Sequence, residues 1–265
     1  LIYGIPDFRL PKDIVRNIVD KIRFLGGKFY TNRALGVDFD INELSKKYDA
    51  VFVGIGAAKS SKYKLANQEL ADIYDSDVFL RAYRENKYPR DLGTVVVIGG
   101  GNVAMDCSRV AVRMGAKKVK ILYRRDREHM PAREIELEEA IQDGVEFKEL
   151  TRVEDCNIEN GKIVSVNCVK TEIIDGKSTD KDPLETFIEE ANTIVFAIGL
   201  KPDRNLILEN GIELDDLGYI KIDENGKTNL ENVFAGGDNT ESKSTVCRAL
   251  AAGKKAANGI IEYLT

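Results

Sequence analysis

The chain of 265 residues carries 39 lysines and arginines against 44 aspartates and glutamates, a formal charge of −5. With 43% hydrophobic and 31% charged residues it has the composition of a folded protein of one large or two modest domains, which excludes disordered, fibrous and disulfide-scaffold chains. The acidic balance argues against duplex nucleic acid as a partner, because phosphate binding needs a basic stripe. No stretch approaches the roughly 18 uninterrupted apolar residues of a membrane span, and no secretory leader is visible. Cys107, Cys156, Cys168 and Cys247 are scattered and form no CxxC. They read as reduced thiols of a cytoplasmic protein rather than a metal or redox site.

The chain opens Leu1-Ile2-Tyr3-Gly4-Ile5-Pro6 without an initiator Met and reads as a fragment. Pro11 starts a helix whose Ile14, Ile18 and Ile22, with Val15 and Val19, form one apolar stripe closed by Gly26 and Gly27. Residues 28–31 look like a short strand, residues 41–47 like a helical turn, and Ala50-Val51-Phe52-Val53 like a buried strand ending at Gly54-Ile55-Gly56. Residues 59–92 are polar, with several tyrosines, and read as a connection between lobes. A second α/β unit begins at Thr94, with strands at 94–98 and 118–123 and helices at 102–114 and 134–142. From Val145 to Glu189 the pattern turns antiparallel: Val164, Val166 and Cys168 alternate with polar residues, and Gly161 and Gly176 mark turns. Residues 193–198 form another buried strand, residues near 233–235 a further one, and residues 245–263 a closing helix. Outside that antiparallel stretch, the alternation of helices and strands implies parallel sheet covered by helices.

The strongest motif is Val95-Val96-Val97-Ile98-Gly99-Gly100-Gly101-Asn102-Val103-Ala104, a G-x-G-x-x-A loop between a strand and a helix. Gly99 permits the tight turn, Gly101 lets a pyrophosphate approach the backbone, and Ala104 lets helix and strand pack closely. The helix N-terminus then offers N–H groups and a positive dipole end. The alternative is a glycine turn that merely packs. A cofactor with a free ribose 2′-hydroxyl is usually read by a carboxylate about 20 residues on. Here the second strand ends Leu122-Tyr123-Arg124-Arg125, and two guanidinium groups suit a 2′-phosphate, so NADP is preferred to NAD. A solvated basic turn is the alternative. In Val233-Phe234-Ala235-Gly236-Gly237-Asp238 a strand delivers one carboxylate to a sheet edge, where Asp238 suits either a flavin ribityl hydroxyl or an ordinary turn or cap.

Ala197-Ile198-Gly199 with Pro202-Asp203, and Phe234-Ala235-Gly236-Gly237-Asp238, resemble signatures of flavin disulfide reductase-like enzymes with two dinucleotide-binding domains. Three further stretches resemble the small (beta) subunit of NADPH-dependent glutamate synthase and its relatives: residues 4–12, residues 99–106, and Tyr123-Arg124-Arg125 followed by Met130-Pro131-Ala132. The resemblance spans essentially the whole chain.

It implies an α/β protein with two Rossmann-like domains, an incomplete FAD domain interrupted by an NADP domain. The FAD domain would comprise residues 1–58 and 201–265, and residues 93–200 would form the NADP domain. Gly99, Gly100, Gly101, Asn102 and Val103 would hold the pyrophosphate, Arg124 and Arg125 the 2′-phosphate, and Gly199 would lie near the nicotinamide. Gly237 and Asp238 would contact the flavin ribityl chain, while Thr245 and Val246 would approach the isoalloxazine. The FAD pyrophosphate loop and the iron–sulfur clusters of such proteins are expected upstream of this chain, since Gly54-Ile55-Gly56 is a crossover segment and no phosphate loop. The implied activity is hydride transfer from NADPH to FAD, with electrons passing to clusters or to a partner such as the large glutamate synthase subunit. A ferredoxin:NADP oxidoreductase, a sulfide dehydrogenase subunit and a nucleotide-binding module without turnover are the alternatives.

No catalytic side chain is expected, because the cofactors carry the chemistry. His129, the sole histidine, reads as a surface residue, and the acidic run 134–139 as a solvated helix face. No His/Cys cluster has metal-ligand spacing. Without a CxxC, electrons would not leave through a dithiol.

Overall fold

The structure, a computed structural model, describes residues 1–61, 63, 65, 72–89, 91–242 and 245–265. In chain order the first elements are α1 (Lys12–Phe24), α2 (Ile41–Lys47), β1 (Val51–Val53), β2 (Lys59–Ser60), β3 (Ile73–Asp75) and α3 (Ser76–Arg84). Then come β4 (Thr94–Ile98), α4 (Asn102–Arg113), β5 (Lys118–Leu122), α5 (Glu134–Gln142) and β6 (Glu146–Lys148). The antiparallel strands β7 (Thr151–Glu159), β8 (Lys162–Ile174), β9 (Lys177–Asp180) and β10 (Thr186–Glu190) follow. The chain ends with β11 (Thr193–Phe196), β12 (Leu200–Lys201), α6 (Arg204–Glu209), β13 (Val233–Ala235) and α7 (Val246–Leu264). These elements fall into two compact units, Leu1–Leu25 with Ser60–Gly199 and Gly26–Lys59 with Leu200–Thr265.

The first unit is built on a five-stranded parallel sheet in the order β3-β11-β4-β5-β6. Its central strands are apolar without interruption because both faces are covered. Val95, Val97, Val119, Ile121 and Val195 pack with Phe79, Met105, Val110 and Leu137 of the helices. The alternate residues Val96, Ile98, Leu122, Ile194 and Phe196 pack with Val153, Cys156, Ile163, Val166 and Cys168 of the antiparallel sheet. That sheet turns where expected: Asn160 and Gly161, then Asp175 and Gly176, all have positive φ, as two-residue hairpin loops require. Lys120 of β5 is buried and donates to Glu189 of β10 at 2.8 Å, while Lys148 of β6 pairs with the other carboxylate oxygen, pinning the two sheets together.

In the second unit β1 and β13 pair in parallel, and Ile41, Val51, Val53, Ile207, Ile212, Ile220, Val233 and Ala235 form its core. Asp40 caps α2 in a capping box with Glu43.

Four expectations are corrected. Residues 28–31 form no strand; Phe29 and Tyr30 are exposed, so no neighbouring strand selects the extended state there. Residues 59–92 are more than a connection, since β3 extends the parallel sheet and Phe79 and Leu80 of α3 enter its core; positions 62, 64, 66–71 and 90 lie outside the described residues. Residues 146–148 join the parallel sheet as β6, and the antiparallel region begins at Thr151. Finally, residues 1–25 belong with residues 60–199 instead of with the segment to 58. Their attachment is largely charged, which hydrophobic patterning does not register: Asp7 pairs with Arg84 at 2.8 Å, and the Phe8 ring lies 4.5 and 4.3 Å from the Arg109 and Arg113 guanidinium carbons. The periodicity of α1 is real, yet Ile14, Ile18 and Ile22 are about half exposed.

Candidate functional site

The parallel register sets Phe196 of β11 beside Ile98 of β4, and Ile98 beside Leu122 of β5. The residues that follow these strands therefore emerge together at the carboxyl edge of the sheet, where ligands bind in folds of this type. This brings Gly199, the glycine loop 99–101, and Arg124 with Arg125 to one edge.

The three loop glycines have different causes. Gly99 has φ +149°, and a Cβ there would stand 2.2 Å from the Ala197 carbonyl oxygen. At Gly100 a Cβ would stand 2.4 Å from the Tyr123 ring. Gly101 has an ordinary φ of −94° and nothing within 4 Å of a Cβ position. The fold thus accounts for the first two glycines and leaves the third as open space at the start of α4. No side chain among the described residues caps that helix, so its first-turn N–H groups and dipole face this opening. Ala104 is fully buried against the sheet, as its place in the motif requires.

The loop after β5 folds back over the glycines. Ala132 N–H donates to the Gly100 carbonyl at 3.0 Å, Arg133 N–H to Asn102 Oδ1 at 3.3 Å, and Tyr123 Oη to the His129 carbonyl at 2.8 Å. Arg124 is exposed and Arg125 half-buried. Among the described residues Arg125 Nε is buried with no hydrogen-bond partner, an unanswered donor. His129 lies at the surface, its Nδ1 2.6 Å from Asp126 Oδ1, and that hydrogen bond holds the Asp126 carboxyl below its usual range. Tyr123 and Asn102 thus work as loop anchors, a role that only contact geometry discloses.

Behind the loop, Asp106 of α4 and Glu136 of α5 are buried on Arg9. Burial pushes Asp106 up to about 6 against the opposing charge and hydrogen bond of Arg9. Burial acts the same way on Glu136, but hydrogen bonding from Arg133 and the Arg9 charge outweigh it and hold that carboxyl low.

The second group of expected residues lies in the other unit. Gly236 and Gly237, after β13, pack on Ala252 and Ala249 of α7. Asp238 is half-buried and raised above the usual carboxylate range by burial, with the Glu241 charge adding to it. Thr245 caps α7 by accepting from Arg248 N–H at 3.3 Å, and Val246 opens the helix, partly exposed. The sequence did not single out Asn239: it is fully buried, its Nδ2 donates to the Val53 carbonyl at 2.9 Å, and its Oδ1 has no partner among the described residues. Gly54 and Gly56, after β1, are followed by no helix among residues 57–61, which fits a crossover segment.

Among the described residues no helix is long and apolar enough to cross a membrane. Two curated relatives and one solved structure of similar fold frame this geometry. The small chain of NADPH glutamate synthase from Escherichia coli (strain K12) is 34% identical over 288 residues, covering 100% of this chain and 61% of that protein. The beta subunit of the NADP(+)-dependent formate dehydrogenase of Moorella thermoacetica is 36% identical over 275 residues, covering 100% of this chain and 38% of that one. This chain therefore spans less than two thirds of either relative. The structure of Mycobacterium tuberculosis FprA in complex with NADPH superposes with a TM-score of 0.81 at 19% identity, over 100% of this chain and 75% of that one, which shows the shared fold. The pyridine nucleotide-disulphide oxidoreductase family matches residues 11–256, and the chain belongs to that family, with its two Rossmann-like domains.

Proposed function

We propose that this chain binds NADPH at the edge formed by β11, β4 and β5 and delivers its hydride to FAD, from which electrons pass to an iron–sulfur cluster or partner subunit. The observation that carries this reading is Gly101, a glycine that neither backbone conformation nor packing demands, at the uncapped start of α4. Gly99 and Gly100 keep the loop tight, Gly101 leaves room for the pyrophosphate, and the Asn102 and Val103 N–H groups answer its charge. Arg124 and Arg125 take the 2′-phosphate, with Arg125 Nε finding its missing acceptor. Gly199 borders the nicotinamide end. The names of the two relatives specify NADPH and NADP(+), in support of the same choice.

In the second unit the buried Asn239 Oδ1, unpartnered among the described residues, beside half-buried Asp238 fits a hydroxyl-rich ribityl chain, which supplies the donor that oxygen lacks. Gly237 lets that chain approach, and Thr245 and Val246 at the start of α7 offer a positive dipole end to the ring. Bound flavin supplies two-electron acceptance from NADPH and onward delivery of electrons. The protein positions the nucleotide and sets its charge environment. Because both curated relatives are chains of larger enzymes, we assign the onward electrons to a partner such as a large glutamate synthase subunit, in the cytoplasm.

The test is equilibrium titration of the chain with NADPH and with NADH, before and after Arg124→Ala with Arg125→Ala. The double variant is expected to weaken NADPH far more than NADH. Equal losses for the two nucleotides would overturn the assignment.

A further inference from the structure

The carbonyl of Arg124 accepts two side-chain hydrogen bonds from far along the chain. Thr171 Oγ1, on β8, donates at 2.8 Å, and Ser178 Oγ, on β9, donates at 2.5 Å; they lie 47 and 54 positions downstream. A carbonyl oxygen has two lone pairs, so this acceptor is filled. That oxygen belongs to the peptide joining Arg124 to Arg125. Because the peptide is planar, fixing its oxygen fixes ψ of Arg124 and φ of Arg125 together, and with them the directions in which both guanidinium stems leave the loop.

The neighbouring peptides are held from the same side. The Tyr123 carbonyl accepts from Thr151 N–H at 2.8 Å, and the Arg125 carbonyl from Leu150 N–H at 3.0 Å. Leu150 has φ +49°, an uncommon and costly conformation for a leucine. It is kept there by bonds at both ends, since its own carbonyl accepts from Thr171 N–H at 3.0 Å. Thr171 thus serves the Arg124 carbonyl with its side chain and Leu150 with its backbone. β9 is itself stapled down, with Arg152 of β7 holding Asp180 through two 2.9 Å bonds.

We propose that the antiparallel sheet is the specificity element of this site: Thr171 and Ser178 are positioning residues that orient the Arg124–Arg125 peptide for a ribose 2′-phosphate. The inference rests on the NADPH reading above and extends it to residues that touch no cofactor. Ordering a loop backbone on binding costs conformational entropy, and a loop whose backbone is already set avoids that cost for the 2′-phosphate alone. The pyrophosphate contacts come from the glycine loop and gain nothing from it.

The test measures binding of 2′,5′-ADP and of 5′-AMP to the full chain, for the unaltered protein, Thr171→Val, Ser178→Ala and Thr171→Ser. The Arg124→Ala with Arg125→Ala double variant is the reference. Each hydroxyl removal is expected to weaken 2′,5′-ADP about three- to tenfold, the scale of one hydrogen bond, and to leave 5′-AMP unchanged. Thr171→Ser is expected to retain the unaltered affinity. Ser178 is half-buried, so its variant reports even where Thr171→Val unfolds. Equal weakening of both probes would overturn the proposal in favour of general loop support. Unchanged 2′,5′-ADP binding in the hydroxyl variants, with the double arginine variant impaired, would overturn it while leaving the NADPH reading intact. A double arginine variant that keeps its preference for 2′,5′-ADP would overturn both.

Discussion

Arg9 Nε donates to Asp106 Oδ1 at 2.7 Å across 97 positions of sequence, and the same guanidinium pairs with Glu136. One cation thereby ties the N-terminal segment to α4, which opens at Gly101, and to α5, which follows the arginine-bearing loop.

Removing that cation leaves two buried carboxylates, at 7% and 6% side-chain exposure, with less compensation. Arg9→Ala is expected to destabilise the protein by about 3 kcal/mol in urea unfolding, because an ionised group stripped of its partner keeps its desolvation penalty. Arg9→Lys restores one contact and part of the stability. A loss below about 1 kcal/mol for Arg9→Ala would show that the pair is not the tie.

Asp106 gives stability a signed pH dependence. Its carboxyl sits at about 6 in the fold, against about 3.9 in an unfolded chain, so the folded state holds the proton more tightly. Its contribution is therefore complete below about pH 4 and is lost as the pH rises through about 6. Glu136 and Glu189 are shifted down and run the other way, so the difference between the protein and Asp106→Asn isolates the effect. That difference is expected to shift against the unaltered protein by about 2 kcal/mol between pH 4 and pH 6.5. A flat difference over this window would refute the raised carboxyl.

The glycine loop separates folding from binding. Gly99→Ala places a Cβ against the Ala197 carbonyl at a positive φ and is expected to lower the melting temperature clearly. Gly101→Ala meets open space, so its stability should change by less than about 1 kcal/mol while NADPH binding is lost to the methyl group in the cradle. Gly101→Ala with full NADPH affinity would place the pyrophosphate elsewhere.

Thiol labelling reads the packing. Cys107, Cys156 and Cys168 are buried and Cys247 is exposed. Burial pushes the Cys168 thiol up to about 12 and Cys107 well above its ordinary range, so neither forms thiolate near neutrality. Iodoacetamide on the native chain should modify Cys247 alone, seen as one added group by mass spectrometry. Rapid modification of all four would mean that the first unit is not packed as described.

The sequence by itself determined the parallel core and the position of the glycine loop, because an apolar run buried on both faces, followed by glycines and an amphipathic helix, permits few alternatives. It also placed Arg124 and Arg125 at the end of the second strand, and turns at Gly161 and Gly176, since positive φ at those turns is a local demand. Tertiary structure decided the rest. Residues 1–25 joined the first unit through Asp7, Phe8 and Arg9, whose charged contacts carry no periodic signature. β3 took an edge place too short to show alternation. Thr171, Ser178 and Leu150 met the arginine loop, and Asn239 met Val53, through hydrogen bonds between distant positions. Propensity and periodicity act over a few residues, whereas the orientation of a binding loop is fixed by whichever donors the fold brings to its carbonyls.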